Sequence, residues 1–175
     1  MEKMISAYNK VGENRYRETY GLYYDDFEVG DIFEHRPGRT ITEVDNIWQS
    51  LICMNNHPLH IDSAYGSKTE FKQNIISSLV TLSIVGGMSV NTISAKCIAN
   101  LGWDKVRLTH PVFVGDTIYA ESKVLHKRLS SKRQNQGIVT FETRGIKADG
   151  TVFMTYERTV LIPCRAYKGE ETVDY

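Results

Sequence analysis

Apolar residues change their spacing as the chain proceeds, and each change marks an element. Residues 1–20 are polar and charged with little periodicity, which predicts a loosely held arm. Tyr23–Asp31 ends in a Gly-Asp turn, and Arg36-Pro37-Gly38-Arg39 is incompatible with helix. Thr40-Ile41-Thr42 has strand character. Ile47, Trp48, Leu51, Ile52 and Met54 then recur at helical spacing, so a short helix is expected over 43–54. Thr42 stands as its N-cap, with Asp45 in the capping-box place. Ala64, Tyr65 and Phe71 suggest a further short turn or helix. No residue from Gln73 to Ala95 is charged, which predicts a buried helix from Ser77 to about Asn100. Gly86-Gly87 would let it pack closely, and Gly102 would stop it.

After Trp103 the period shortens towards two. Residues 105–110 make a possible strand and Pro111–Asp116 a strand-to-turn element. Residues 117–127, 137–147 and 151–162 are rich in Val, Ile, Thr, Tyr and Phe and partly alternate, as half-buried strands do. Ala148-Asp149-Gly150 joins the last two as a tight hairpin, and 129–136 form a basic, polar loop. An early hydrophobic helix followed by antiparallel strands is an α+β pattern, solved most economically by a curved sheet wrapped around that helix. One domain over 21–165 is expected, with a polar tail over 166–175. The sheet would leave edges, which favours pairing of two copies.

Charge removes several functions. Lys and Arg number 21, as do Asp and Glu, and this balance argues against a dedicated nucleic-acid binder. The uncharged run is long enough to span a bilayer, but its many Ser, Thr, Asn and Gln residues argue against insertion. Cys53, Cys97 and Cys164 form no CxxC pair, so neither a zinc knuckle nor a disulfide framework is indicated, and no metal site is expected. Cys53 and Cys97 sit among apolar residues and read as small core residues. The amino terminus lacks the apolar stretch of a secretory signal, pointing to a reducing, cytoplasmic setting.

The densest chemistry lies in Asn55-Asn56-His57-Pro58-Leu59-His60-Ile61-Asp62. Pro58 should make this a stiff, non-helical connection, and a rigid polar loop beside a buried helix is a natural seat for a catalytic histidine. His35, His110 and His126 are isolated, lack metal-site spacing and read as ordinary residues.

These stretches resemble a known family. Gly38-Arg39-Thr40-Ile41-Thr42-Glu43-Val44-Asp45-Asn46, Pro58-Leu59-His60-Ile61-Asp62, Pro111-Val112-Phe113-Val114-Gly115-Asp116-Thr117 and Gly137-Ile138-Val139-Thr140-Phe141 are similar to MaoC-type dehydratases, the group that includes (R)-specific enoyl-CoA hydratases. Within it, Asn55-x-x-Pro58-Leu59-His60-x-Asp62, Ala99-Asn100-Leu101-Gly102-Trp103 and Gly137-Ile138-Val139-Thr140-Phe141 resemble the branch acting on mesaconyl- or itaconyl-type CoA thioesters. The resemblance implies a single hotdog domain, an acyl-CoA substrate, reversible hydration of its α,β-double bond, no metal or nicotinamide cofactor, and a homodimer or an oligomer of dimers. His60 matches the family's histidine, but Asn55 stands where the family has aspartate. Since a carboxamide cannot take a proton at neutral pH, either His60 is the only general base, a carboxylate such as Asp62 or Asp45 assists, or catalysis is lost. A substrate carrying its own carboxylate would be repelled by aspartate at close range, which gives Asn55 a rationale. The resemblance also places anion-stabilising groups near Ser77 and Ser78. Coenzyme A phosphates need cations, for which Arg128, Lys132 and Arg133 are candidates beside Lys127, Lys105 and Arg107. A hotdog thioesterase and a non-catalytic acyl-CoA or acyl-carrier-protein binding module are the alternatives.

Overall fold

The computed structural model describes residues 7–167; residues 1–6 of the expected arm and 168–175 of the expected tail lie outside the described residues. Strands β1 (Tyr8–Gly12) and β2 (Arg15–Glu18) make a small separate hairpin. A single sheet follows, built from β3 (Ile32–Thr40), β4 (Ala99–Leu108), β5 (Thr117–Leu129), β6 (Gln136–Lys147) and β7 (Val152–Pro163). All pairings are antiparallel, in the order β3-β5-β6-β7-β4. Between β3 and β4 run four helices: α1 (Glu43–Ile52), α2 (Pro58–Ile61), α3 (Ser63–Gly66) and α4 (Ser78–Met88). The α+β pattern read from the chain is therefore the one observed.

Alternation dictates which sheet face is covered. Ile118, Ala120, Ser122 and Val124 of β5 are buried while Glu121 and Lys123 between them face outward. The covered face carries two apolar clusters. One packs Val80 and Val85 of α4 with Ile118, Ala120, Phe153 and Tyr156, and the other joins Phe27, Val124, Phe141, Val160 and Ile162. A buried polar row separates them. His35, wholly inaccessible, meets Thr92 Oγ1 through Nδ1 at 2.5 Å and Ser122 Oγ through Nε2 at 2.8 Å. Ser122 Oγ in turn lies 2.8 Å from Thr143 Oγ1. Because the hydroxyls can donate or accept, a neutral imidazole is fully satisfied there. Burial, with the nearby Arg36 charge, pushes its pKa down to about 4.

Several elements depart from the sequence reading. The long helix expected to Asn100 ends at Met88, continues as a π-helical turn over Val90–Ser94, and gives way to β4 at Ala99. Pairing with β7, Ala99 opposite Leu161, claims the backbone that helical periodicity had assigned to α4. Gly102 sits at a register shift within β4 and not at a helix end. Pro37 and Gly38 hid β3; they fall at its register shift between His35 and Arg39, on an edge strand where a missing donor is tolerated. Part of the polar arm is ordered as the β1–β2 hairpin.

Helix α1 begins with the expected capping box, Thr42 Oγ1 accepting the Asp45 N–H and the Asp45 carboxylate accepting the Thr42 N–H. The apolar positions that revealed it are mostly turned outward. Asn46 and Ser50 are buried, while Val44, Trp48, Leu51 and Ile52 are exposed, Trp48 at 67%. Cys53 follows them to the surface, Cys97 is half-buried and only Cys164 is buried, so Cys53 is not the core residue its neighbours suggested. No helix among the described residues is long and apolar enough to cross a membrane.

Candidate active site

Pro58 shapes the key segment differently from the expected non-helical loop. It occupies the first turn of α2, where a missing N–H costs nothing, and His57 Nδ1 caps the turn by accepting the Leu59 N–H at 3.2 Å. The turn presents His60 to a cavity of about 370 Å³ lined on its polar side by His60, Ser78, Thr81, Thr109 and His110. Phe71, Ile76, Val112 and Phe153 supply much of the apolar wall.

The imidazole of His60 is held in one orientation. Its Nδ1 lies 2.9 Å from the Ile75 carbonyl oxygen, which can only accept, so Nδ1 carries the proton and Nε2 keeps its lone pair. No protein partner engages Nε2 among the described residues. A neutral imidazole so fixed is arranged to take a proton from a small molecule in the cavity.

The start of α4 forms the facing part of the site. Its N-cap residue, Ser77, supplies no side-chain cap. The Ser77 N–H is taken by Asn46 Oδ1 at 2.9 Å, and Ser77 Oγ accepts a hydrogen bond from Asn55 Nδ2 at 3.2 Å. The N–H groups of Ser78 and Leu79 find no protein acceptor among the described residues, as expected of a helix's first turn. Unsatisfied donors with the positive end of a helix behind them suit an oxygen on which negative charge develops. Ser83 within α4 and Ser89 just after it bond back to the carbonyls of Leu79 and Gly86.

The structure thus brings His60 and Ser78 to one cavity and ties Ser77 and Asn55 to its wall. It separates the remaining candidates. Asp62 caps α3 by accepting the Tyr65 N–H at 3.0 Å and does not line the cavity. Asp45 is engaged by Thr42 and Arg39 at the start of α1. Burial works to raise its pKa, but the Thr42 N–H and hydroxyl together with Arg39 outweigh this and hold it below the usual value. Neither carboxylate is placed to assist His60. Asn55 does not line the cavity either, its Oδ1 accepting the His57 N–H at 3.4 Å.

Arg128, Lys132 and Arg133 are exposed at the β5–β6 hairpin. The cavity touches the other end of the sheet at Phe153, so eight residues of β6 separate the two regions, roughly 26 Å at strand rise. They do not join the cavity of their own chain. Lys127 is committed elsewhere, donating to the carbonyls of Tyr24 and Phe27. Among the described residues no group of three His, Cys, Asp or Glu side chains is placed to hold a metal.

Sequence reasoning passed over two contributors. His110 reaches the cavity from the segment after β4, with its Nδ1 3.0 Å from the Val152 carbonyl, and nothing in its spacing from His60 signals the meeting. Asn46 reads from the chain as one more polar residue on a helix, and only its burial marks it out.

A family model described as mesaconyl-CoA hydratase matches residues 5–172. The chain is 28% identical over 142 residues to the mesaconyl-CoA hydratase of Cereibacter sphaeroides, covering 81% of this chain and 41% of that protein. It is 30% identical over 142 residues to the beta-methylmalyl-CoA dehydratase of Chloroflexus aurantiacus, covering 81% and 40% respectively. A Mycobacterium tuberculosis protein described as having a double hotdog fold superposes with a TM-score of 0.77 at 22% identity, over 85% of this chain and 46% of its own. The chain therefore spans about two fifths of the length of these curated relatives.

Proposed function

Because the chain belongs to the mesaconyl-CoA hydratase family, we propose that it is a hydro-lyase that reversibly adds water across the α,β-double bond of an acyl-CoA. A branched dicarboxylic acyl group, of mesaconyl or itaconyl type, is the proposed substrate, supported by the names of the relatives. The observation that carries the reading is the His60 imidazole, locked by the Ile75 carbonyl so that its free Nε2 serves a cavity bounded by the open first turn of α4.

In the proposed reaction His60 Nε2 takes a proton from water as the water oxygen bonds to the β-carbon. The double-bond electrons move towards the thioester, giving an enolate whose oxygen is met by the N–H groups at Ser78 and Leu79. The imidazolium then returns its proton to the α-carbon, so one water is added overall and the base is regenerated. The chemistry needs no metal or organic cofactor, since water is the nucleophile and the thioester the electron sink; coenzyme A enters as part of the substrate. His60 is the only proposed general base.

Pairing of two copies of this chain is part of the proposal. The surface supports this: β4 is an edge strand exposing Leu101 and Trp103, and Leu79 of α4 and Val90 of the π-helical turn are exposed as well. The outward apolar stripe on α1 supports a further contact between such dimers. The three free thiols agree with a reducing, cytoplasmic setting.

The test is the loss of enoyl absorbance with mesaconyl-, itaconyl- and crotonyl-CoA. Hydration by the wild type and a fall of about 10²- to 10⁴-fold in kcat for His60→Ala are expected. Full activity in His60→Ala, or release of free thiol in place of hydration, would overturn the proposal.

A further inference from the structure

We infer that Asn46 is the positioning residue that sets both halves of the site, the base and the anion-stabilising turn, through one buried carboxamide. The inference rests on the reading of His60 as the general base.

Asn46 is 1% exposed and sits on the inward face of α1. Its Nδ2 donates to the His60 carbonyl at 2.7 Å and to the Ile75 carbonyl at 3.2 Å. Its Oδ1 accepts the Ser77 N–H at 2.9 Å. All three bonded groups belong to the backbone of the site and come from two stretches: the α2 turn carrying the base, and the segment entering α4, in which the Ile75 carbonyl accepts the base's N–H and Ser77 is the N-cap.

Each bond has a chemical consequence. The Ile75 carbonyl oxygen is the acceptor that fixes the His60 tautomer, and Asn46 donates to that same oxygen. Its bond to the His60 carbonyl fixes the backbone from which the imidazole projects. Taking the Ser77 N–H fixes the chain just before Ser78, which lines the cavity and whose own N–H has no protein acceptor among the described residues. A carboxamide is suited to this because it combines two donors and an acceptor without charge. Aspartate would keep the acceptor for Ser77 but set a carboxylate against two carbonyl oxygens. The capping box holds α1 at its start, which anchors the side chain. Asn74 offers an instructive contrast. It also gathers backbone carbonyls, those of Leu59 and Asp62 among them, yet touches neither the Ile75 oxygen nor the Ser77 N–H.

Asn46→Ala and Asn46→Asp are the variants, assayed as full chains beside the wild type with the enoyl-CoA that it hydrates best. Displacing a base by about an ångström costs on the order of 10²-fold, so kcat should fall by about that factor in both variants while KM stays within about threefold. Nitrogen-15 NMR of the imidazoles gives an independent reading. The wild type should show His60 as the Nδ1–H tautomer, and both variants a mixture with Nε2–H. If Asn46→Ala does not fold, Asn46→Asp alone decides, since it keeps size and shape.

Unchanged kcat in a folded variant, or an unaltered His60 tautomer, would overturn the positioning role. If the wild type hydrates no enoyl-CoA, the general-base reading fails instead, while the tautomer comparison still decides whether Asn46 orients the ring.

Discussion

Replacing His35 by asparagine tests the buried polar row through the pH dependence of stability. The imidazole is inaccessible and its folded pKa lies near 4, against 6.5 for an ordinary histidine. Between those values the unfolded chain binds the proton more readily than the folded one, so stability is fully present above the higher value and is lost as pH falls towards the lower. Linkage over this shift gives a loss of about 2 kcal/mol between pH 7 and pH 5, approaching about 3 kcal/mol below pH 4. The carboxylate of Asp45, held below its usual value, titrates beneath this window and does not imitate the effect. Urea unfolding at the two pH values, for wild type and His35→Asn, isolates the histidine's share. The wild type should lose about 2 kcal/mol more than the variant. Equal losses in both would refute the assignment of the pH sensitivity to this imidazole.

Three further outcomes are expected. Asn55→Asp sets a carboxylate against the Ser77 hydroxyl, and should slow turnover of a dicarboxylic acyl-CoA more than that of crotonyl-CoA; equal slowing would remove the charge rationale for Asn55. In Gly145→Ala the new methyl would lie 2.5 Å from the Phe153 ring, which is buried in the core beside β6 and cannot swing away. A loss of about 1–3 kcal/mol in thermal or denaturant unfolding should follow. Leu101→Glu charges the exposed edge at β4, and sedimentation velocity should show a dimeric wild type and a dissociated variant; a wild type that is monomeric at micromolar concentration would rule out the proposed pairing.

The legible parts of the fold were those governed by local rules. Thr42 and Asp45 announce α1 because a capping box is a contact within one turn. Asp149-Gly150 announces the β6–β7 turn, where Gly150 adopts a φ of +88°. β5, β6 and β7 show themselves because one face of each is buried. What stayed hidden depends on distant partners. The end of α4 is set by the pairing of β4 with β7, and β3 is a strand only because β5 lies beside it. At the site, His60 could be singled out from its dense local motif, whereas His110 arrives through the topology alone. Asn46 was unreadable for a related reason. Apolar spacing located α1 correctly, but it is the polar face carrying Asn46 and Ser50 that the helix buries.

The hydroxyl row joining Thr92, His35, Ser122 and Thr143 also acts as an alignment key for the sheet. A slip of one residue would expose every inward side chain and is forbidden by the apolar pattern alone. A slip of two would keep greasy faces greasy, and the clusters above and below could absorb it. It would, however, set Ala120 or Val124 where Ser122 now stands, stranding an imidazole among hydrocarbon. A handful of oxygen atoms thereby rejects the one misthreading that hydrophobicity could not tell apart.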